Sequence, residues 1–382
     1  MNILQLGIKE WPYRSGIKES KNRGGGTGKY CELLFKSIPI NKVTLFIVTR
    51  RLNGQLQYEV KGNKKIYRSK SLSGRRLRHL SLAASSFFQS IKILKKEKID
   101  VIHSHMFVSN LIAIIIGKIF KVPVIIVPHG ALYHKYLPAF NTFRRRIERF
   151  LERIIYPFAT KIVMFCLHDI DMYTKLSNKK LNNFVVVPTG FETKKVEEPS
   201  FNFENRKIKF LFVGRLLKLK SLDKLLIAIN ELNKEEKDNI LFDIVGEGDE
   251  IENLEYLVRT NNLESIVVFH GYIQDPVDFY KNADVFCLLS DTEGQSLALM
   301  EAMSYYNACL INDFGVPYSD DSLIILENNS KDEIVRGIRK LISNPQLIKY
   351  FALNGRFEVE SFYSSKEFAS NYLKLYQLVS KY

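Results

Sequence analysis

The feature that most constrains the fold of this 382-residue chain is a regular alternation of short apolar runs with helix-length segments. The runs are nearly continuous in Val, Ile, Leu and Phe, which is typical of parallel strands whose sheet is covered by helices on both faces. We therefore expect an α/β chain with two doubly wound, Rossmann-like domains. The predicted strands are NILQL, KVTLFIVT, VIHSH, PVIIVPH, KIVMFC and FVVVP in the first half, and KFLFVG, ILFDIVG, SIVVFHG, VFCLLS, ACLIND and LIIL in the second.

A polar stretch without apolar periodicity, residues 191–207, is predicted to link the two domains. It separates an N-terminal domain, 1–190, from a second domain, 208–355, and residues 356–382 are predicted to form helices that pack back toward the first domain. The charge changes at the same place: residues 1–190 carry a net charge of +24 and the remainder −9. Because ligands bind beyond the carboxyl ends of parallel strands, we expect the domains to face a central cleft.

The composition argues against secreted and membrane-spanning classes. No CxxC pair is present, so we predict free buried thiols in a reducing compartment for Cys31, Cys166, Cys287 and Cys309. The N-terminus MNILQL lacks the pattern of a signal peptide and is interpreted as a first strand. The most apolar run, 111–128, is interrupted by Lys118, Lys121 and Pro123, unlike a transmembrane helix. We expect a cytoplasmic protein.

The segment SDTEGQSLALMEAM places Glu293 and Glu301 eight positions apart across a predicted helix start. Gly294 permits a tight turn, and Ser296 is the candidate N-cap of a helix that begins at Leu297. Free N–H groups at such a start suit a diphosphate, and carboxylates accept hydrogen bonds from sugar hydroxyls. Two glutamates without context are more commonly solvated or in surface ion pairs, so the interpretation depends on neighbouring motifs.

A second motif places cations at the end of another predicted strand. In FLFVGRLLKLKSLDKLL, Gly214 and Arg215 follow the strand and Lys220 lies where a helix opens. Two cations at a strand's carboxyl end neutralise a diphosphate and stabilise it as a leaving group. An Arg and a Lys in a loop are more often plain surface charge.

Four motifs in order resemble the retaining GT-B glycosyltransferases that use nucleotide sugars, family four of the sequence classification. They are VGRLLKLKSLDKLL, IVGEGDEIENLE, VFHGYIQDPVDFYKNADVFCLLSDTEGQSLALMEAM and ESFYSSKEFASNYLKLY, and they cover nearly all of 205–380. The resemblance implies transfer of a sugar from a nucleotide-diphosphate donor with retention of anomeric configuration. It supplies no clear covalent nucleophile.

The resemblance implies a role for each matching residue of the second domain. Glu293 matches the glutamate that holds the donor sugar, Glu301 the one that holds the ribose, and Arg215 and Lys220 the pair on the diphosphate. Gly271 and Tyr272 lie where the base is expected. Further candidates for substrate binding, at the helix start, are Gly294, Gln295, Ser296 and Leu297.

The first half matches the family more weakly. RGGGTGKYCELL resembles the glycine-rich loop near the donor phosphates, with Gly25 and Gly26 as candidates. It is not a Walker loop, because Arg23 and Tyr30 stand where Gly and Ser or Thr are needed. His129 matches the histidine near the reacting sugar, although a lone histidine at a strand end is more commonly structural.

Metal motifs fail on inspection. His103 and His105 have no third ligand in the sequence. Asp169 and Asp171 have the spacing of a metal-binding pair, but they follow a strand of the first domain and are interpreted as helix-start acids favoured by the dipole. The run VGEGDE lacks the third glycine of a dinucleotide loop. We expect a metal-independent reaction without a cofactor besides the nucleotide-sugar co-substrate.

The sequence departs from the family pattern at several places: PTG at 188–190 replaces the usual Asn-Gly, EGQS at 293–296 replaces a common Phe and Pro, and four single positions differ. Ser221 and Tyr306 stand at usual glycines, Ala308 at a usual proline, and Tyr318 near a further expected glutamate. These departures leave phosphate and ribose recognition intact and leave the donor sugar open.

The basic first half suggests an anionic partner. The segment 141–158 has apolar residues at helical spacing surrounded by five arginines, which suits either an anionic leaflet or packing on its own sheet. Residues 61–80 add a second cationic region. We expect a glycan or a lipid-linked acceptor that bears phosphate, in bacterial cell-surface polysaccharide synthesis, with peripheral attachment to the inner face of the plasma membrane.

Two other functions stay open at this point. A nucleotide-sugar epimerase or a glycosidase uses similar carboxylates. A basic nucleic-acid-binding protein predicts aromatic residues interleaved with the basic runs, and 61–80 contains only Tyr67. We therefore expect no nucleic-acid partner.

Overall fold

The computed structural model describes residues 1–8, 11, 26–52, 54–70, 75–129, 143–291, 293, 295–313, 315 and 317–382, without the side chains of 26, 75–80 and 143–145. The chain forms two compact units. The first comprises Met1–Gly190 together with Ser365–Tyr382, and the second comprises Phe191–Ser364. The polar stretch 191–207 belongs to the second unit.

The described residues of the first unit form one eight-stranded sheet. Its strands are β1 (Asn2–Ile8), β2 (Thr44–Arg50), β3 (Tyr58–Lys61), β4 (Lys64–Ser69), β5 (Val101–His105), β6 (Val124–Val127), β7 (Lys161–Met164) and β8 (Phe184–Val186). They lie in the order β3-β4-β2-β1-β5-β6-β7-β8. The six predicted strands are confirmed.

The sheet is mixed at one edge, so the prediction of purely parallel strands is wrong there. Strands β3 and β4 pair antiparallel as a hairpin, joined at Gly62, which adopts φ 57°. A glycine with positive φ is what a tight hairpin turn requires. Charged side chains hide the apolar alternation of this hairpin, which is why the sequence indicated only a cationic region.

Helices cover both faces of this sheet, which confirms the doubly wound interpretation. They are α1 (Gly26–Ser37), α2 (Arg75–Lys96), α3 (Phe107–Phe120), α4 (Phe143–Ile155), α5 (Leu167–Ser177) and the chain's last helix, α13 (Ser365–Val379). Phe35 of α1 and Tyr372 of α13 share one core, and Ile93 of α2 and Ile116 of α3 share the other. The four cysteines are buried free thiols, as predicted.

The second unit contains a parallel sheet, six-stranded over its described residues. Its strands are β9 (Ile208–Val213), β10 (Ile240–Val245), β11 (Val267–Phe269), β12 (Val285–Leu288), β13 (Ala308–Asn312) and β14 (Ile324–Leu326). Its helices are α6 (Leu222–Asn230), α7 (Lys234–Asp238), α8 (Ile251–Thr260), α9 (Val277–Asn282), α10 (Leu297–Ser304), α11 (Lys331–Ser343) and α12 (Gln346–Phe362).

The strand order of the second unit creates a switch point. The order is β11-β10-β9-β12-β13-β14, so the chain builds outward from β9 to β11 and then returns to place β12 on the other side of β9. Ligands of open α/β sheets bind at the carboxyl ends of the two strands where the direction reverses. The loops after β9 and β12 are therefore where a site is expected.

The glycines of VGEGDE serve close backbone packing. A Cβ on Gly246 would lie 1.8 Å from the carbonyl oxygen of Gly214, and one on Gly248 would lie 2.1 Å from that of Leu216. The loops after β9 and β10 thus touch backbone to backbone, which only glycine permits. This contact explains the GxG pattern without a dinucleotide site.

Two residues that replace the family's usual glycines adopt left-handed backbone. Ser221 has φ 54° and Tyr306 has φ 62°, a conformation that costs about 1–2 kcal/mol per residue for a side-chain-bearing residue. The Ser221 hydroxyl accepts a hydrogen bond from Asn329 at 3.1 Å, and the Tyr306 ring lies 5.3 Å from the guanidinium of Arg356. These contacts offset part of the strain.

The predicted C-terminal helices, residues 356–382, divide between the two units. Phe362, which is 63% exposed, ends α12 in the second unit, whereas Phe368, Tyr372, Leu373 and Tyr376 lie on α13 in the first. Because one helix ends before the next begins, the helical period does not continue across them. No helix in the described part of the chain combines the length and apolar character needed to cross a bilayer.

Candidate functional site

The loop after β9 carries the two predicted phosphate-binding cations. Arg215 is exposed, and within the described residues no hydrogen bond or ion pair engages its side chain. Lys220 ends a 3₁₀ turn, Lys218–Lys220, that leads into α6. Unlike Arg215, Lys220 has a partner: its ammonium is paired with the carboxylate of Glu293, and both side chains are largely buried. The structure thus brings one predicted cation into contact with a predicted carboxylate and leaves the other open to a ligand.

Glu293 follows β12, on the other side of the switch point. Besides Lys220, its Oε1 accepts a hydrogen bond from the hydroxyl of Ser290 at 2.9 Å. Ser290 is fully buried, so its hydroxyl has a fixed position. One carboxylate oxygen of Glu293 is therefore held by the protein, and Oε2 is the oxygen left to accept from a hydroxyl of a ligand.

A second set of contacts ties the same two loops together. The Asp291 N–H donates to the carbonyl of Leu219 at 2.8 Å, and Asp291 Oδ1 accepts from Lys224 at 3.2 Å and from Asn329 at 2.7 Å. Asn329 also donates to Ser221 and to the carbonyl of Leu289. Sequence reasoning missed Asp291, Lys224 and Asn329, because Asn329 lies 105 residues from Lys224 and no short motif joins them.

The helix that begins after these residues has the predicted start. Ser296 caps α10, and its side chain accepts a hydrogen bond from the Leu299 N–H at 3.4 Å. That contact satisfies the N–H group of Leu299, one of those in the first turn that lack a partner within the helix. The backbone N–H groups of Leu297 and Ala298 are available to an anion. Gln295 donates to the sulfur of Met300 at 3.5 Å, which holds it beside the helix start. Gly294 lies outside the described residues.

Glu301 lies in the second turn of α10 and accepts a hydrogen bond from the Tyr280 hydroxyl at 3.0 Å. Tyr280 comes from α9 and is 1% exposed, and Asn307 donates to its backbone carbonyl at 2.8 Å. Burial, and next the nearby Glu301 carboxylate, raise the pKa of Tyr280 well above its usual value, so the hydroxyl stays a donor. The sequence missed Tyr280, since the apolar periodicity of α9 marks it only as a core residue.

The region assigned to the base lies after β11. Gly271 adopts φ 63°, and its carbonyl accepts a hydrogen bond from the Gly246 N–H at 2.8 Å. Tyr272 is 41% exposed at the same turn. The preceding residue, His270, contacts Asp243 of β10 at 2.6 Å. These contacts fix the turn and leave an aromatic ring accessible beside it.

In the first unit the predicted glycine-rich loop is only partly described. Gly26 begins α1, which follows β1, and Gly25 lies outside the described residues. Strands β1 and β5 form the switch point of this sheet, since the chain reverses direction between them. Gly7 lets the two backbones approach closely here, because a Cβ there would lie 1.8 Å from the carbonyl oxygen of His105.

His129 lies two residues beyond the end of β6 with φ 51°, a strained conformation for a residue with a side chain. Its Nε2 is 3.0 Å from Nδ1 of His105, and the Tyr30 ring stands edge-on to it at 4.9 Å. Burial lowers the pKa of His129 to about 3, so the imidazole is neutral at physiological pH.

The two histidines of VIHSH are fully buried and hydrogen-bonded rather than arranged for a metal. His103 contacts the Tyr376 hydroxyl at 2.8 Å, and His105 contacts Gln5 at 3.3 Å. Within the described residues, no group of three His, Cys, Asp or Glu side chains is arranged to hold a metal ion. Sequence reasoning missed Gln5 and Tyr376, which are 371 residues apart.

The arginine-rich helix α4 faces its apolar side outward. Phe150 is 63% exposed, and Ile147, Ile154 and Phe158 are exposed too, whereas Glu148 and Glu152 are buried, at 6% and 1%. Glu152 accepts from the buried Tyr156 hydroxyl at 2.9 Å. The alternative in which the apolar side packs on the sheet is therefore wrong, because buried acids occupy the inner side.

This exposed apolar face continues onto α3. Ile115 and Ile119 of α3 are exposed, and the Lys118 ammonium lies 4.2 Å from the centre of the Phe158 ring. By contrast, the cationic region at 61–80 is partly neutralised, because Arg68 is buried against Glu59 at 2.6 Å and Lys65 pairs with Glu97 at 2.8 Å.

Two family models match the chain, "Glycosyltransferase Family 4" over residues 24–195 and "Glycosyl transferases group 1" over residues 193–357. In sequence, the chain is 33% identical over 227 residues to the GalNAc-alpha-(1->4)-GalNAc-alpha-(1->3)-diNAcBac-PP-undecaprenol alpha-1,4-N-acetyl-D-galactosaminyltransferase of Campylobacter jejuni, covering 59% of this chain and 58% of that protein. It is 26% identical to the UDP-Gal:alpha-D-GlcNAc-diphosphoundecaprenol alpha-1,3-galactosyltransferase of Escherichia coli, covering 60% and 61%. The chain thus spans about three fifths of each relative's length.

A solved structure of similar fold is the sucrose-phosphate synthase of Thermosynechococcus elongatus, with a TM-score of 0.77, 17% identity, and coverage of 99% of this chain and 98% of that one. This similarity confirms the predicted GT-B class of two Rossmann-like units. The two family models together match residues 24–357, so the chain belongs to the glycosyltransferases that they describe, family 4 and group 1.

Proposed function

We propose that this chain moves a sugar from a nucleoside-diphosphate donor to a lipid-linked or polysaccharide acceptor of the bacterial cell surface. The names of the two sequence relatives, both of which act on undecaprenyl-diphosphate-linked glycans, support the acceptor class. The donor class is supported by the residues around the switch point of the second unit.

The observation that carries the proposal is the convergence of unlike charges on one sheet edge. Lys220 from the loop after β9 and Glu293 from the loop after β12 are in contact, with the open cation Arg215 in the same loop and the start of α10 following Glu293. Cations and helix N–H groups bind diphosphate, and carboxylates bind hydroxyls. This combination suits a molecule that has both groups.

In the proposed step the bond between the anomeric carbon and the diphosphate oxygen breaks, and a bond forms to an acceptor hydroxyl oxygen. The departing diphosphate takes up the negative charge, and the hydroxyl proton is transferred to it. Arg215, Lys220 and the α10 start stabilise that charge, which is the largest electrostatic change in the reaction. Glu293 orients the sugar and Glu301 the ribose. The contact of His129 with the reacting sugar stays a prediction.

We further propose that the anomeric configuration is retained and that no divalent metal takes part. The fixed cations supply the charge that a metal would otherwise provide. Proton NMR of the product's anomeric signal tests retention, since an inverted product would contradict it. Full activity in excess EDTA is expected, and loss of activity that Mg²⁺ or Mn²⁺ restores would refute metal independence.

The residue roles are tested by separating binding from turnover. Glu301→Ala is expected to weaken binding of the nucleoside diphosphate, because a ribose contact exists in ground and transition states alike. Arg215→Ala is expected mainly to lower kcat, because its charge is most useful on the leaving group. Arg259→Ala, an exposed arginine of α8, is the matched control. Equal changes in both parameters for both variants would contradict the roles.

An assay with radiolabelled donor separates the proposal from the other enzyme classes. Transfer of label to an undecaprenyl-diphosphate glycan is expected. Epimerised donor in the absence of acceptor, or hydrolysis of a plain glycan, would instead show an epimerase or a glycosidase.

The apolar face of α4 and α3 supports a further part of the proposal, that the first unit docks on an anionic bilayer. Exposed isoleucine and phenylalanine side chains suit the acyl boundary, and the arginines around them suit anionic headgroups. Lys118 beside Phe158 is one such rim cation. A bilayer location would bring the enzyme to a lipid-linked acceptor.

Flotation with phosphatidylglycerol-containing liposomes at physiological salt tests the docking. Phe150→Ser is expected to lower the bound fraction several-fold, while Phe357→Ser is expected to change nothing. Phe357 is the matched control because it is equally exposed, at 65% against 63%, and lies on α12 of the second unit. Absence of wild-type binding would refute the docking and leave the transfer reaction untouched.

A further inference from the structure

The loop between β14 and α11 contains a half-buried asparagine, Asn329, that contacts both loops of the switch point in the second unit. Its Nδ2 lies 3.1 Å from the hydroxyl oxygen of Ser221, which belongs to the loop after β9. The same nitrogen lies 3.3 Å from the Leu289 carbonyl and 2.7 Å from Asp291 Oδ1, both in the segment after β12. Asn329 therefore joins the two loops from a third segment of the chain.

The orientation of the Asn329 amide follows from partners that have a single hydrogen-bonding role. The Leu289 carbonyl and the Asp291 carboxylate can only accept, so the NH₂ group faces them. On its other side, Asn329 Oδ1 accepts from the Lys224 ammonium at 2.9 Å, and an ammonium can only donate. The reversed amide would place oxygen against oxygen and NH₂ against ammonium, so the arrangement requires an amide in this orientation.

The same contacts neutralise a negative charge beside the site. Asp291 lies two residues before Glu293, and a second uncompensated carboxylate there would repel a diphosphate. The Lys224 ammonium lies 3.2 Å from Asp291 Oδ1, and Asn329 contacts both groups. The network thus fixes the charge of the segment before Glu293 as well as its position.

The backbone of Ser221 makes the contact with Asn329 important. Ser221 is 1% exposed and has φ 54°, in the left-handed region that is costly for any residue with a Cβ. Its conformation determines how the chain leaves the 3₁₀ turn, Lys218–Lys220, and enters α6. A serine that relaxed from this conformation would change the path of the turn and displace the Lys220 ammonium from Glu293.

We infer that Asn329 is a positioning residue that holds Ser221 in its left-handed conformation and thereby places the Lys220 ammonium where a donor diphosphate binds. The inference rests on the proposed function, in which Lys220 contacts that diphosphate. Asn329 acts through Ser221 and Lys220 and requires no contact of its own with the substrate.

Titrations of the full chain with two ligands test this role. The first ligand is the tightest-binding of UDP, GDP, ADP and CDP, measured by calorimetry, and the second is the matching nucleoside, which has no phosphate, measured by saturation-transfer NMR. Asn329→Ala is expected to raise the Kd of the nucleoside diphosphate roughly fivefold, because one charge-assisted contact is weakened. The Kd of the nucleoside should stay at its wild-type value.

The matched control is Asn328→Ala, in the same loop. Asn328 Oδ1 accepts from the Ser330 N–H at 2.8 Å, so the substitution also removes a side-chain hydrogen bond. It should change neither Kd. Asn329→Asp keeps the shape and the contact with Lys224 but places a carboxylate against that of Asp291, so it should weaken diphosphate binding at least as much as Asn329→Ala. It also provides the test if the alanine variant does not fold.

Ser221→Gly provides a rescue. Glycine adopts the left-handed conformation without steric cost, so the placement of Lys220 should no longer depend on Asn329. In the Ser221→Gly background, the effect of Asn329→Ala on the Kd of the nucleoside diphosphate should shrink from roughly fivefold to below about twofold. A purely structural role of Asn329 would instead lower the melting temperature and weaken both ligands equally.

Equal losses for the nucleoside diphosphate and the nucleoside in Asn329→Ala would overturn the inference, as would a loss of the same size with Ser221 and with Ser221→Gly. The rescue comparison decides even where the nucleoside binds too weakly to measure. The proposed function fails separately: if the wild type bound nucleoside diphosphate in the Asn329-dependent manner but transferred no sugar, the positioning role would stand and the transfer reaction would be wrong.

Discussion

Replacing Tyr280 by Phe isolates the hydrogen bond that orients Glu301. The ring is 1% exposed, and Phe fills the same volume, so no cavity forms and only the hydroxyl is lost. A hydrogen bond to a charged group contributes about 1.5–3 kcal/mol when buried. Glu301 is partly exposed, so water replaces some of this contribution, and we expect a loss of about 1 kcal/mol in ribose binding, or roughly fivefold in Kd.

Calorimetry measures this loss with the tightest-binding of UDP, GDP, ADP and CDP and with its 2′,3′-dideoxy analogue. The fivefold loss should appear with the ribose form and vanish with the dideoxy form, because Glu301 then has no hydroxyl to hold. Tyr305→Phe is the control, because this substitution also removes a phenol hydroxyl. The Tyr305 ring stacks on Tyr280, with 5.9 Å between the ring centres. Equal losses with both nucleotides, or an equal effect of Tyr305→Phe, would refute the reasoning.

Three further outcomes follow from single contacts. Ser296→Ala should lower the free energy of unfolding by about 1 kcal/mol, seen as a lower melting temperature, because α10 loses its cap, while Ser296→Asp should retain it. Burial lowers the pKa of His103 in the folded protein to about 3, whereas in the unfolded chain it is near 6.5. The neutral histidine therefore contributes fully to stability above pH 6.5, and this contribution is lost as the pH falls from 6.5 toward 3. Urea melts at pH 7.5 and 5 should show that decline, and His103→Gln should reduce it; an undiminished slope would contradict the assignment. Gly246→Ala should prevent folding of the second unit, since its Cβ would meet the Gly214 carbonyl, whereas Gly271→Ala, with open space around it, should cost only about 1–2 kcal/mol in circular-dichroism melts.

Apolar periodicity predicted most of the fold correctly because buried parallel strands have few polar residues to interrupt them. The twelve predicted strands are all present, and the helix start at Ser296 is confirmed. The hairpin of β3 and β4 escaped because charged residues dominate its sequence. The exposed side of α4 was left open, since the helical period identifies an apolar side but not whether another element covers it.

The sequence by itself determined the architecture and the chemical types of the site, through strand runs, Gly214-Arg215, Glu293 and Glu301. Only the tertiary structure decided the partnerships: Lys220 with Glu293, Tyr280 with Glu301, and Gln5 with Tyr376 across 371 residues. Local pattern depends on neighbours a few residues apart, whereas a hydrogen bond depends on where two distant side chains are brought to within about 3 Å by packing.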